Sequence, residues 1–220
     1  MWDGVIDARH LYTAVRLTAH THGRDGAPSK TVVSGTGFIV RSGLFTGDRK
    51  GFLVTNRHVL DPDFVKSRLR TVYKVEVAGF VQNSGAWKGV SYLSGNAKPV
   101  RFTIESPEPM FADGDHDIAL IDLETAKVPG GCPDLTELSN LNLACNLDFE
   151  QRVHVGAQVI TPGYPSIDHV TAHRPILVSG TVASNPRESA ETGAHQWMDH
   201  VLCHSFGWGG MSGSPVFGSN

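Results

Sequence analysis

Apolar residues along this chain come in short runs, broken by glycine, proline and polar positions, and helical spacing is rare. The stretch Leu11 to Thr18 alternates, so Leu11, Thr13, Val15 and Leu17 would share one face of a strand. Thr31 to Arg41 predicts a second strand carrying Gly35 and Gly37, and Gly51 to Asn56 a third. Residues 71–81, 99–105 and 117–123 add three more. Six strands by about residue 125 suffice for a small closed barrel. Only Phe64 to Leu69, after the Asp61-Pro62 turn, and Leu135 to Leu143 read as short helices.

A break comes at residues 128–148, with Pro129-Gly130-Gly131, Pro133-Asp134 and three asparagine-leucine pairs. Strand texture resumes at Val153 to Thr161, Pro175 to Ala183, Gln196 to Ser205 and Ser214 to Phe217. The expected class is all-β, with residues 1–127 as a first unit, 128–148 as a connection and 149–220 as a second unit.

The 220 residues carry a formal net charge of −3, too mild to argue for nucleic acid or an acidic membrane surface. No apolar run reaches membrane-spanning length. Met1-Trp2-Asp3-Gly4 has no basic segment followed by an apolar stretch, so no secretory leader is expected there. Cys132, Cys145 and Cys203 cannot all pair within the chain, so a reducing cytoplasm is expected, or secretion if a leader has been removed.

Three segments carry candidate chemistry. Thr55-Asn56-Arg57-His58-Val59 places a histidine just past an apolar strand, where its ring can face a cleft. Asp113-Gly114-Asp115-His116-Asp117 precedes the apolar run Ile118 to Ile121, and Asp117 is the carboxylate that would lie against that strand. Gly209-Gly210-Met211-Ser212-Gly213-Ser214-Pro215 surrounds a serine with glycines, which leaves its hydroxyl unshielded and lets backbone N–H groups converge. Taken singly, each also fits a structural role: a strand-end histidine, a loop aspartate, an ordinary turn. Together they supply a nucleophile, a base and a carboxylate to fix the base's tautomer.

On these motifs the sequence resembles the trypsin-like, or chymotrypsin-fold, serine peptidases. It is most similar to their bacterial branch of glutamyl endopeptidases and high-temperature-requirement proteases. Gly163-Tyr164-Pro165 and Pro175 to Ser184 also resemble the first hairpin of that family's second barrel. The resemblance implies two antiparallel Greek-key β-barrels and a serine endopeptidase that forms an acyl-enzyme on protein or peptide substrates. It implies Ser212 as nucleophile, His58 as proton shuttle, Asp117 as orienting carboxylate, and the Gly210 and Ser212 N–H groups as the oxyanion hole. It implies no cofactor.

Three positions depart from the family pattern. Met211 stands where digestive members carry an aspartate that pairs with a freshly cut N-terminus, so activation by N-terminal processing is not expected. The family's second barrel continues for two strands past the serine, whereas this sequence stops at Asn220. The expectation is a second barrel lacking its last strands, completed by an absent C-terminal segment or a regulatory partner. No aspartate lies shortly before Ser212 to select basic side chains; Phe206, Gly207 and Trp208 occupy that region. His195, His200, Cys203 and His204 invite a zinc test, but strand alternation sends His200 and His204 to one face and Cys203 to the other, so no metal is expected. Trp197, Trp208 and Phe206 read as barrel packing. The rival to the enzyme is a latent or non-catalytic protease-like module that binds or regulates within a larger assembly.

Overall fold

The computed structural model describes residues 11–22, 28–42, 50–62, 72–82, 97–113, 116–133, 153–166, 174–185, 190–192, 195–197 and 201–218. Alternation is borne out in β1 (Ala14–His22), where Val15, Leu17 and Ala19 are fully buried and Arg16, Thr18 and His20 face outward. The strands β2 (Pro28–Ser42) and β3 (Lys50–Thr55) come next, β2 running through Gly35 and Gly37 without a break. A single helical turn, α1 (Arg57–Leu60), then leads to β4 (Val72–Gln82), β5 (Ala97–Glu105), β6 (Met110–Phe111) and β7 (Ala119–Asp122). These seven strands form one antiparallel sheet in the order β5-β4-β1-β2-β3-β7-β6.

The buried faces of these strands share one cluster that includes Leu17, Ile39, Leu53, Val75, Phe102, Ile104 and Ile121. Each such side chain is worth roughly 1.5–3 kcal/mol when fully removed from water. Val59 and Leu60 of α1 belong to the same cluster. The turn that carries His58 is thereby anchored in the core.

The second sheet comprises β8 (Gln158–Gly163), β9 (Ile176–Val182), β12 (Cys203–Ser205) and β13 (Phe217–Gly218), ordered β12-β9-β8-β13. A separate hairpin joins β10 (Ala190–Thr192) to β11 (His195–Trp197). Three expectations change here, the first being that the strand expected over Ser214 to Phe217 forms only at Phe217–Gly218. The strand expected from Val153 starts at Gln158, because Gly156 at φ +86° and the Ala157 N–H to His154 carbonyl bond make a turn first. The strand expected over Gln196 to Ser205 is two separate short strands, β11 and β12, in different sheets. The helices expected at Phe64 to Leu69 and Leu135 to Leu143 lie outside the described residues. Among the described residues, no helix is long and apolar enough to cross a membrane.

Candidate active site

Antiparallel pairing of β3 with β7 sets Thr55 opposite Ala119. The residues just after β3 and those just before β7 must therefore meet at one end of the sheet. His58 and Asp117 do meet there. His58 Nδ1 lies 2.6 Å from Asp117 Oδ2, and the His58 backbone N–H donates to Asp117 Oδ1 at 2.9 Å. The carboxylate thus grips the histidine's ring and its backbone at once. Both side chains stay partly open, at 38% and 33% exposure, so the ring remains within reach of solvent or substrate. Asp113, an alternative acid in the same segment, is exposed, and Asp115 lies outside the described residues.

Asn56 adds a third tether that no local sequence signal marks. It occupies the N-cap position of α1, yet its amide caps no helix N–H and donates instead to the Asp117 carbonyl at 2.6 Å. Arg57 and Asp61 add a fourth. Arg57 Nε lies 3.6 Å from Asp61 Oδ2, and its guanidinium sits 4.7 Å over the Phe111 ring on β6, the strand beside β7. Asp61 is 1% exposed, and its N–H closes α1 onto the Arg57 carbonyl at 2.7 Å. The Asp61-Pro62 pair reads locally as a turn; in the fold Asp61 is a buried end-cap.

Ser212 comes to the same edge through the backbone. Its carbonyl accepts the Thr36 N–H at 2.8 Å. A β-carbon placed on Gly35 would lie 2.7 Å from Val59 Cγ1 and 3.3 Å from the Ser212 carbonyl, so Ser212 passes within a residue's width of the turn bearing His58. Gly213 is tighter still. It sits at φ +86°, and a β-carbon there would collide with the Thr36 carbonyl and the Thr55 hydroxyl and lie 3.0 Å from the Asn56 nitrogen. Only glycine combines that backbone with that space.

The loop before Ser212 rests on the stretch after β8. Ser166 N–H donates to the Gly209 carbonyl at 2.6 Å, and Met211 N–H to the Trp208 carbonyl at 3.2 Å. Gly210 holds φ +87°, and Thr36 Oγ1 donates to its carbonyl at 2.7 Å. Met211 is buried, with its methyl 3.0 Å from the β-carbon position of Gly163. An apolar side chain therefore fills the place before the serine. Phe206 and Trp208, expected as packing, are 77% and 42% exposed instead; their rings stack on one another 6.2 Å apart, outside the core. The Trp197 side chain and His200 lie outside the described residues. Cys203 and His204 are exposed on β12, and among the described residues no three histidine, cysteine or acidic side chains gather into a group able to hold a metal.

Comparison with known proteins adds independent findings. Residues 35–220 match the trypsin-like peptidase domain. Comparison with curated proteins gives no significant match. The fold is similar to that in the crystal structure of Deg5, with a TM-score of 0.54 and 18% identity over 96% of this chain and 76% of that one. It is similar also to a thermostable serine protease, AL20, from an extremophilic microorganism, with a TM-score of 0.53 and 16% identity over 96% of this chain and 81% of that one. At such identities the likeness is one of fold.

Proposed function

Because this chain belongs to the trypsin-like peptidase family and has a serine-protease fold, we propose that it is a serine endopeptidase acting through His58, Asp117 and Ser212. Ser212 Oγ attacks the scissile carbonyl while His58 takes its proton. The resulting oxyanion is held by the N–H groups of Gly210 and Ser212. His58 then returns the proton to the departing amine, leaving an acyl-enzyme that water hydrolyses by the same route. Asp117 keeps Nδ1 protonated and Nε2 free to act as base. The observation that carries this reading is the pair of contacts from one carboxylate to the ring and backbone of His58, at 2.6 and 2.9 Å.

The reading includes two Greek-key barrels divided at the 128–148 connection, and kinship with bacterial glutamyl endopeptidases and high-temperature-requirement proteases. With Met211 buried before the serine, packing rather than a new N-terminal ammonium orders the loop. Digestion of an unfolded protein substrate by the chain and by Ser212→Ala tests the activity. Cleavage by the first and none by the second is expected; equal cleavage by both would overturn the reading.

One observation favours a binding module instead. Leu202, Phe206, Trp208 and Val216 are all exposed on the unit that carries Ser212. That reading predicts peptide binding without cleavage, unchanged in Ser212→Ala.

A further inference from the structure

Tyr164 lies just after β8 and is 5% exposed, yet among the described residues its hydroxyl has no hydrogen-bond partner. A buried donor without an acceptor is unfavourable, and native proteins rarely leave one. The residue lines a cavity of about 40 Å³ together with Arg16, Ala78, Phe80, Pro99 and Arg101. Strand register explains the cavity's chemistry. Arg16 pairs with Ala78 across β1 and β4, and Ala78 with Arg101 across β4 and β5. Two guanidinium-bearing residues thus flank a small one in a single row, and the short alanine leaves the gap between them. A third guanidinium, that of Arg174, sits 5.8 Å over the Phe80 ring. Glu76, the acid on the same face of β4, is taken up by Lys74 at 2.7 Å and lies 3.2 Å from His20. Among the described residues, the charged groups that line this cavity are therefore arginines. Burial also holds the phenol neutral well beyond its ordinary range, so it remains a donor.

We propose that this cavity binds one small oxyanion, a phosphate or carboxylate group, which accepts a hydrogen bond from the Tyr164 hydroxyl and pairs with Arg101. The space admits roughly three waters by the usual measure, enough for an oxyanion head group but not for a ring. Guanidinium forks match the planar or tetrahedral oxygens of such groups. Two sources share this chemistry: free phosphate, and the carboxylate that ends a peptide.

Occupancy has a route to Ser212. The Tyr164 N–H donates to Thr36 Oγ1 at 3.0 Å, and Thr36 Oγ1 donates to the Gly210 carbonyl. A β-carbon on Gly210 would lie 2.6 Å from the Tyr164 carbonyl. An anion that fixes Tyr164 fixes the floor under the Gly209–Ser212 loop. This coupling rests on the reading of Ser212 as nucleophile; the binding itself does not.

The test is calorimetry and thermal melting of the full chain with inorganic phosphate, with acetate, and with a short peptide carrying a free or an amidated C-terminus, at constant ionic strength set with chloride. Saturable binding of phosphate or acetate is expected, with a rise in Tm. Tyr164→Phe and Arg101→Gln should each weaken it at least tenfold, and Lys127→Gln, at an exposed position away from the cavity, should not. Without anion, Tyr164→Phe should melt no lower than the parent, since it removes the orphan donor. Preference for the free over the amidated peptide would assign the site to a peptide carboxylate, and preference for phosphate to the free ion. Absence of binding to the parent chain, or undiminished binding to Tyr164→Phe, would overturn the site. Binding without any gain in fluorophosphonate labelling of Ser212 would overturn the coupling and leave the site standing.

Discussion

Thr36 and Gly210, 174 residues apart in the chain, meet in a 2.7 Å hydrogen bond from the threonine hydroxyl to the glycine carbonyl. The same hydroxyl accepts the Tyr164 N–H, and the Thr36 backbone N–H donates to the Ser212 carbonyl. One fully buried threonine therefore ties the first sheet to the serine loop at two points and to Tyr164, after β8, at a third. Thr36→Val keeps the shape and removes the hydroxyl. Leaving buried groups unpaired costs about 1–3 kcal/mol each, so a clear drop in Tm is expected by calorimetry, with slower labelling of Ser212. Thr36→Ser should retain both.

Asp117→Asn separates geometry from chemistry. The amide oxygen can still accept the His58 N–H, but the NH₂ group then faces Nδ1 and favours the wrong tautomer. Turnover should fall by about 10²-fold or more, on the scale of general-base catalysis, with Tm little changed. A comparable fall from Asp113→Asn would place the orienting acid elsewhere.

Two glycines with nearly the same backbone allow a controlled comparison. Gly131 has φ +85° and, among the described residues, open space around it; Gly213 has φ +86° and is walled in by Thr36, Thr55 and Asn56. Gly131→Ala should cost only the left-handed backbone penalty, about 1–2 kcal/mol. Gly213→Ala adds a collision with backbone and should lose far more, together with Ser212 labelling. Equal Tm losses in the two variants would mean that the serine loop is not seated against Thr36.

What was legible in the sequence was local. Alternation marks β1 because one face is buried, and glycines mark the serine loop because its backbone needs them. The His58–Asp117 contact is non-local, but it is implied once the two strands pair. Nothing local marks Thr36 or Asn56, whose partners lie in segments far along the chain. Asp61-Pro62 has the composition of a turn, and only the fold shows the carboxylate turning inward toward Arg57. Phe206 and Trp208 look like core by residue type, yet the loop carries them outward, where each ring covers the other.

Tyr164 offers a test at high pH. Burial raises its phenol pKa above the ordinary value near 10, with Arg16 only partly opposing. Above about pH 10 the unfolded chain then releases a proton that the folded chain keeps, so stability falls as pH rises through that range and is unaffected at neutral pH. Tyr164→Phe should remove the highest-pH limb of the tyrosinate absorbance titration and flatten the alkaline loss of stability. An unchanged titration would contradict the burial of the phenol.

The central claim is that Ser212 is activated by His58, and fluorophosphonate labelling tests it without any knowledge of substrate. The chain is incubated with the probe, digested and mapped by mass spectrometry, alongside His58→Ala. A single adduct on Ser212, slowed by about 10²-fold or more in His58→Ala, is the predicted result. An adduct on another residue, or labelling of Ser212 that does not depend on His58, would contradict it.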